Sequence, residues 1–205
     1  MVESNAIPGF LPSVQGLHFA NRWPHGPTVR FGPVDPRWVG IGDAANGLCG
    51  GMSWYVRDRY VSSRPVPPDT EPPANGSSLF TTIVRLQVRS LEWLRTPLHF
   101  WWMSALGPGR AAGRSRDVEF PRIRADIDAG RLAMVGLVRA TGWNPLRLTQ
   151  NHQVAAWAYT VDGETITLAL YEPNWPDRDD VTVTMEGGHL RQSTGEVLAG
   201  IIRLG

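Results

Sequence analysis

Residues 151–176, NHQVAAWAYTVDGETITLALYEPNWP, carry the pattern that most restricts how this chain can fold. Val154, Ala156 and Ala158 alternate with Ala155, Trp157 and Tyr159, and Ile166, Leu168 and Leu170 resume the alternation after Asp162-Gly163. Side chains of a strand point to opposite faces in turn, and Asp-Gly between two such runs is a strong hairpin signal. Pairing across that turn brings His152, at the start of the first strand, opposite the end of the second, around residues 172 to 174. Glu172 and Asn174 therefore become natural partners for the His152 imidazole.

Helical signals lie N-terminal to this hairpin. Leu48, Met52, Tyr55 and Val56 recur at steps near three and four and run into Arg57, Asp58 and Arg59, which predicts an amphipathic helix starting close to Cys49. Residues 63–78 contain five prolines and no apolar period, so an exposed connector is expected there. Leu79, Ile83, Leu86, Leu91 and Leu94 predict a second amphipathic helix over 79–95, capped by Ser77 or Ser78. The run beginning at Pro97, PLHFWWMSALG, reads as a buried helix, and 107–117 (GPGRAAGRSRD) as a flexible basic loop. A helix from Pro121 to near Gly130 and a strand over 132–139 follow, with a loop over TGWNPLRLTQ. Residues 17–33 mix aromatic and β-branched runs with Pro24, Gly26, Pro27 and Gly32, which reads as short strands and turns.

These elements make an α+β chain, and its 205 residues suit one domain spanning 1–205 rather than two. A content of 42% hydrophobic and 19% charged residues with a formal net charge of +1 is that of a soluble globular protein. Such a balance exerts no long-range pull on nucleic acid or an anionic membrane, so neither is expected as a partner. No secretory signal or membrane span is legible, and one cysteine forms no internal disulfide, so the cytoplasm is the default location, with export as an effector still open. His18 and His25 have no acid or thiol nearby at ligand spacing, and neither a metal nor another cofactor is expected.

The functional reading centres on NGLCGGMSW, residues 46–54, which holds the only cysteine. A lone cysteine is in general a small buried hydrophobe. Here, however, it falls where a glycine-rich loop meets a helix N-terminus, whose dipole favours a thiolate. Gly47, Gly50 and Gly51 allow close approach of a substrate, and their N–H groups suit a developing oxyanion. A thiol nucleophile needs a base to take its proton and a third group to orient that base. Cys49, His152 and either Glu172 or Asn174 supply those roles in that order; His99, amid aromatics, reads better as a packed core histidine.

A cysteine at a helix start, a histidine at a strand start and a polar residue after the next strand resembles the papain-like cysteine peptidases. The likeness is greatest to bacterial relatives of the bacteriocin-processing peptidases, where a strand ending in an acid followed by proline supplies the third member, as Glu172-Pro173 does here. It covers residues 42–60 and 150–176. The resemblance implies a papain-like α+β fold, with the nucleophile helix packed against an antiparallel β-sheet, and a peptide or protein substrate whose amide bond is cleaved through a thioester. It ranks Glu172 ahead of Asn174. Six residues before the cysteine the family carries a glutamine as oxyanion donor, whereas this chain has Asp43, which cannot donate when ionised. Asn46 and the backbone N–H of Cys49 are the expected substitutes. The alternatives are a deamidase or acyltransferase using the same residues, or a catalytically silent papain-like binding module.

Overall fold

The computed structural model describes residues 1–23, 47–92, 95–139, 142 and 151–205. Its centre is the expected hairpin. Strands β3 (His152–Asp162) and β4 (Thr165–Tyr171) pair antiparallel from Asp162 opposite Thr165 to Ala155 opposite Tyr171, and Gly163 turns the corner with φ of 55°. The register shifts between Ala156 and Ala158, which leaves Trp157 as a one-residue bulge whose carbonyl accepts from Ile7 N–H at 2.9 Å.

That bulge also marks where β3 changes partner on its other edge. Strand β2 (Ala133–Val138) pairs with β3 from Ala156 back to His152, and β1 (Val2–Ala6) pairs with it from Ala158 to Asp162. Four more strands follow in the sequence: β5 (Thr182–Glu186), β6 (His189–Gln192), β7 (Val197–Leu198) and β8 (Gly200–Leu204). Among the described residues the sheet runs β7-β6-β5-β4-β3-β2-β8, with every pairing antiparallel and β1 joined to β3 beside that path. Only Ala199 separates β7 from β8, yet they lie at opposite ends of the order, so the sheet curls until its two ends nearly meet. The N–H of Ala199 donates to the Val138 carbonyl at 2.8 Å and anchors that crossover.

Helices cover the sheet. After the short α1 (Pro12–Gln15), helix α2 (Cys49–Val61) buries Met52, Tyr55 and Val56 against β3 and against α3 (Ser78–Ser90), which contributes Phe80, Ile83 and Val84. Ser77 caps α3, its hydroxyl accepting from Phe80 N–H at 3.2 Å. The connector over residues 64–77 has no helix or strand, as the prolines require. Then come α4 (Arg95–Leu106), α5 (Pro108–Arg114), a π-helical turn (Ser115–Glu119) and α6 (Phe120–Asp128). The buried apolar residues form one contiguous core in which all six residues of β2 are buried, so both faces of that strand are covered. No helix among the described residues is long and apolar enough to cross a membrane.

Three expectations need correction. Residues 17–23 form no strand; Leu17, Phe19 and Trp23 are buried as irregular chain, with Phe19 edge-on to Trp23 and Trp23 edge-on to Phe80. Aromatic burial rather than strand pairing explains that composition, and 24–33 lie outside the described residues. Residues 108–119 are helical, not a loop: Pro108 starts the helix, Ala111 and Ala112 are buried, and the arginines project, Arg114 over the Trp102 ring at 4.5 Å and Arg116 to Glu164 at 2.8 Å. The segment closes the exposed edge of β8, since Ile201 N–H donates to Ser115 Oγ at 2.8 Å and Arg203 N–H to Glu119 Oε2 at 3.0 Å. Finally, α3 stops at Ser90, and α4 is only half buried: Phe100 and Met103 face the core while Leu98 and Trp102 are exposed.

Candidate active site

Cys49 is the first residue of α2, and the chain before it is held by Asn21. The Asn21 Oδ1 accepts from Leu48 N–H at 2.7 Å and from Trp23 Nε1 at 2.9 Å, while its Nδ2 donates to Asn174 Oδ1 at 3.3 Å. One side chain thus joins the N-terminal end of α2 to the loop after β4. The glycines that follow Cys49 serve packing. A Cβ on Gly51 would sit 2.1 Å from the Ile83 carbonyl of α3, and one on Gly50 would sit 2.6 Å from Gln153 Oε1. The Gly51 N–H is itself engaged, donating to Gln87 Oε1 at 2.8 Å. Close approach is therefore made by α3 and β3 rather than by a substrate, and it seats Cys49 against β3, where Gln153 N–H donates to the sulfur at 3.4 Å.

The hairpin delivers the other half. His152 opens β3 and Glu172 follows the last residue of β4; both are buried, at 3% and 1% exposure, whereas Cys49 is partly exposed. Glu172 Oε1 lies 2.5 Å from His152 Nε2, and the thiol hydrogen-bonds to the same imidazole. Asn174 stands beside this contact in a different role. Its backbone N–H donates to Glu172 Oε1 at 3.0 Å, its Nδ2 lies 3.4 Å from His152 Nε2, and its Oδ1 faces Asn21. An amide NH2 group offers no acceptor to a ring N–H, so Glu172 is the residue that can hold an imidazolium. Gln192 of β6 donates from Nε2 to the other carboxylate oxygen, Oε2, at 2.9 Å.

The electrostatics follow from this chain of contacts. Burial pushes the Cys49 thiol up, but the His152 charge, its hydrogen bond and the Gln153 N–H outweigh burial, leaving the thiol below its ordinary value of 9.0. Burial alone would lower His152; the charges of Glu172 and Cys49, with their hydrogen bonds, instead push it up to about 10. For Glu172, burial raises the carboxyl, while the His152 charge and hydrogen bond, the Asn174 N–H and the Gln192 amide bring it below 4.5. These shifts favour the thiolate, the imidazolium and the carboxylate over their neutral forms. Such an arrangement can attack an electrophilic carbon and then hand a proton to a leaving group.

The remaining sequence candidates fall elsewhere. Asp43 and Asn46, the expected oxyanion position and its substitute, lie outside the described residues, as does His25. His18 is paired with Asp177 at 2.5 Å. His99 faces buried Glu119 at 3.6 Å and, with Arg95, Arg122 and Arg203, lines a cavity of about 430 Å³ that contains none of Cys49, His152 or Glu172. Among the described residues no group of three or more His, Cys, Asp or Glu side chains is arranged to hold a metal ion. Asn21 and Gln192 escaped the sequence reading because no motif spacing links either to Cys49 or Glu172. Comparison of the chain with models of protein families, with curated proteins and with solved structures finds no match.

Proposed function

We propose that the chain is a papain-like thiol hydrolase that cleaves a peptide or related amide bond through a Cys49 thioester. The observation that carries this reading is the buried His152 ring, held by Glu172 at 2.5 Å and hydrogen-bonded to the thiol of Cys49. The Cys49 thiolate attacks the amide carbonyl, forming a carbon–sulfur bond and an oxyanion. The backbone N–H of Cys49 and the side chain of Asn46 are the proposed donors to that oxyanion. Collapse breaks the carbon–nitrogen bond, and the imidazolium of His152 gives its proton to the departing amine. His152, now neutral, takes a proton from water as the water adds to the thioester. The acid product leaves, and the thiolate and imidazolium are restored. Glu172 keeps the ring oriented and stabilises its charged form throughout, with Asn174 supporting the carboxylate.

A mixed fluorogenic peptide library and an active-site-directed electrophile test the reading together. Hydrolysis and Cys49 labelling that both disappear in His152→Ala are expected. A Cys49 that alkylates only as a thiol of ordinary value, near 9.0, would sink the proposal. Labelling without peptide cleavage, followed by transfer to an added amine, would redirect it to acyl transfer.

A further inference from the structure

We infer that Gln192 is a positioning residue of the same site, a buried carboxamide that fixes the outer oxygen of Glu172 and thereby holds the carboxylate against His152. This role rests on the reading of Cys49, His152 and Glu172 proposed above. A buried carboxylate needs donors for both of its oxygens. Glu172 Oε1 has two, the His152 ring and the Asn174 N–H, whereas Oε2 has Gln192 Nε2 at 2.9 Å. Gln192 is itself only 1% exposed.

The carboxylate, which only accepts, sets the orientation of the amide: rotating it by half a turn would place Gln192 Oε1 against Glu172 Oε2. The other end of the amide is held by Thr194, whose Oγ1 donates to Gln192 Oε1 at 3.0 Å. The turn that carries both residues is closed by Gln192 N–H to the Glu196 carbonyl at 2.8 Å and Gly195 N–H to the Gln192 carbonyl at 2.9 Å. In the ladder, β5 lies between β6 and β4, and Gln192 reaches Glu172 because the sheet curls. A continuous chain of contacts results, from Thr194 through Gln192, Glu172 and His152 to Cys49. Among the described residues the titratable groups that face Glu172 are His152 of β3, Cys49 of α2 beyond it, and Tyr171, the last residue of β4.

Removing the amide leaves Oε2 buried without a donor from any described residue, which favours the protonated carboxyl. The imidazolium then loses its counter-ion, and the thiolate loses the imidazolium. Because Cys49 is the only cysteine, iodoacetamide applied to the full chain reads this directly as alkylation rate against pH. In Gln192→Met, which keeps length without a donor, the midpoint should rise by about one pH unit and the rate below it should fall about tenfold. Gln192→Glu can donate to Glu172 only while protonated, so its rate relative to wild type should be near one at low pH and fall as pH rises.

A folded Gln192→Met with the wild-type profile overturns the role of Gln192 and leaves the Cys49 reading standing. A wild-type midpoint near 9.0 overturns the Cys49 reading itself. If circular dichroism finds Gln192→Met unfolded, Gln192→Glu decides: a falling ratio supports the role, and a flat one overturns it.

Discussion

Among the described residues two histidine–glutamate pairs each have a buried acid and differ in how the histidine is held. His152 and Glu172 are both buried, meet at 2.5 Å, and have a thiol as the ring's other partner. His99 is a quarter exposed and stands 3.6 Å from Glu119, which is wholly buried but is divided among His99, Arg114 at 3.6 Å and the Arg203 N–H at 3.0 Å. The Glu119 carboxylate closes the edge of β8; the Glu172 carboxylate, held by the Asn174 N–H and the Gln192 amide, contacts the His152 imidazole. On the proposed function, a buried acid beside a histidine is insufficient for chemistry. The geometry must also give the ring a second, nucleophilic partner, and the acid's remaining oxygen must be satisfied by groups such as Gln192 that do not compete for the proton.

The largest expected contrast comes from removing each ring. His152→Ala should reduce peptide hydrolysis by about 10³-fold or more and bring Cys49 labelling to background, as expected when one member of a nucleophile–base unit is lost. His99→Ala should leave both within about twofold, since it keeps the nucleophile–base unit intact. Equal losses in the two variants would erase the distinction.

Replacing the acids comes next. Glu172→Gln removes the charge that raises His152, so the alkaline limb of hydrolysis should move down by about one to three pH units with a lower maximum. Glu119→Gln should leave the pH–rate profile unchanged and cost about 1–2 kcal/mol of stability in urea unfolding. That cost has a pH signature. Glu119 lies below its usual 4.5 despite burial, because of the His99 hydrogen bond and the Arg203 N–H, so its contribution is present above 4.5 and is lost as pH falls through its folded value. The variant should therefore converge on wild type in acid.

The His152 pair has the opposite sign. Its folded value, about 10, exceeds the ordinary 6.5, so the stability it contributes is complete below 6.5 and is lost as pH rises through about 10. Thermal unfolding should show wild type losing stability over that window, and the loss should shrink in Glu172→Gln. The smallest expected effect is that of Thr194→Val, which releases Gln192 Oε1 without touching Glu172. The Cys49 alkylation midpoint should move up by a few tenths of a unit, as suits one neutral hydrogen bond acting through another group. Arg114→Ala, on the side of Glu119, should not move it.

Local signals made half of this site legible. The start of α2 followed from apolar steps around Cys49, and the approach of His152 to residues 172–174 followed from a turn and two alternating runs. Both depend on residues close together in the chain, where backbone periodicity and turn chemistry decide the outcome. They did not separate Glu172 from Asn174, because residues this close to a strand end are separated by side-chain contacts, and the bulge at Trp157 shifts the ladder by one residue.

Folding in three dimensions decided the rest. Asn21, 27 residues before Leu48, and Gln192, 20 residues after Glu172, reach the site only through the curled sheet and the packed N-terminal segment. Gly107 and three arginines disguised a helix whose buried alanines and Ser115 cover β8, and β1 became a strand because the bulge in β3 left it a free edge. Gly50 and Gly51 look in the sequence like room for a substrate and prove to be room for Gln153 and the Ile83 carbonyl. Short-range patterns carry the placement of Cys49 and His152, because turn and helix geometry are local. What satisfies a buried charge is found wherever the chain happens to return, and no spacing rule in the sequence encodes that distance.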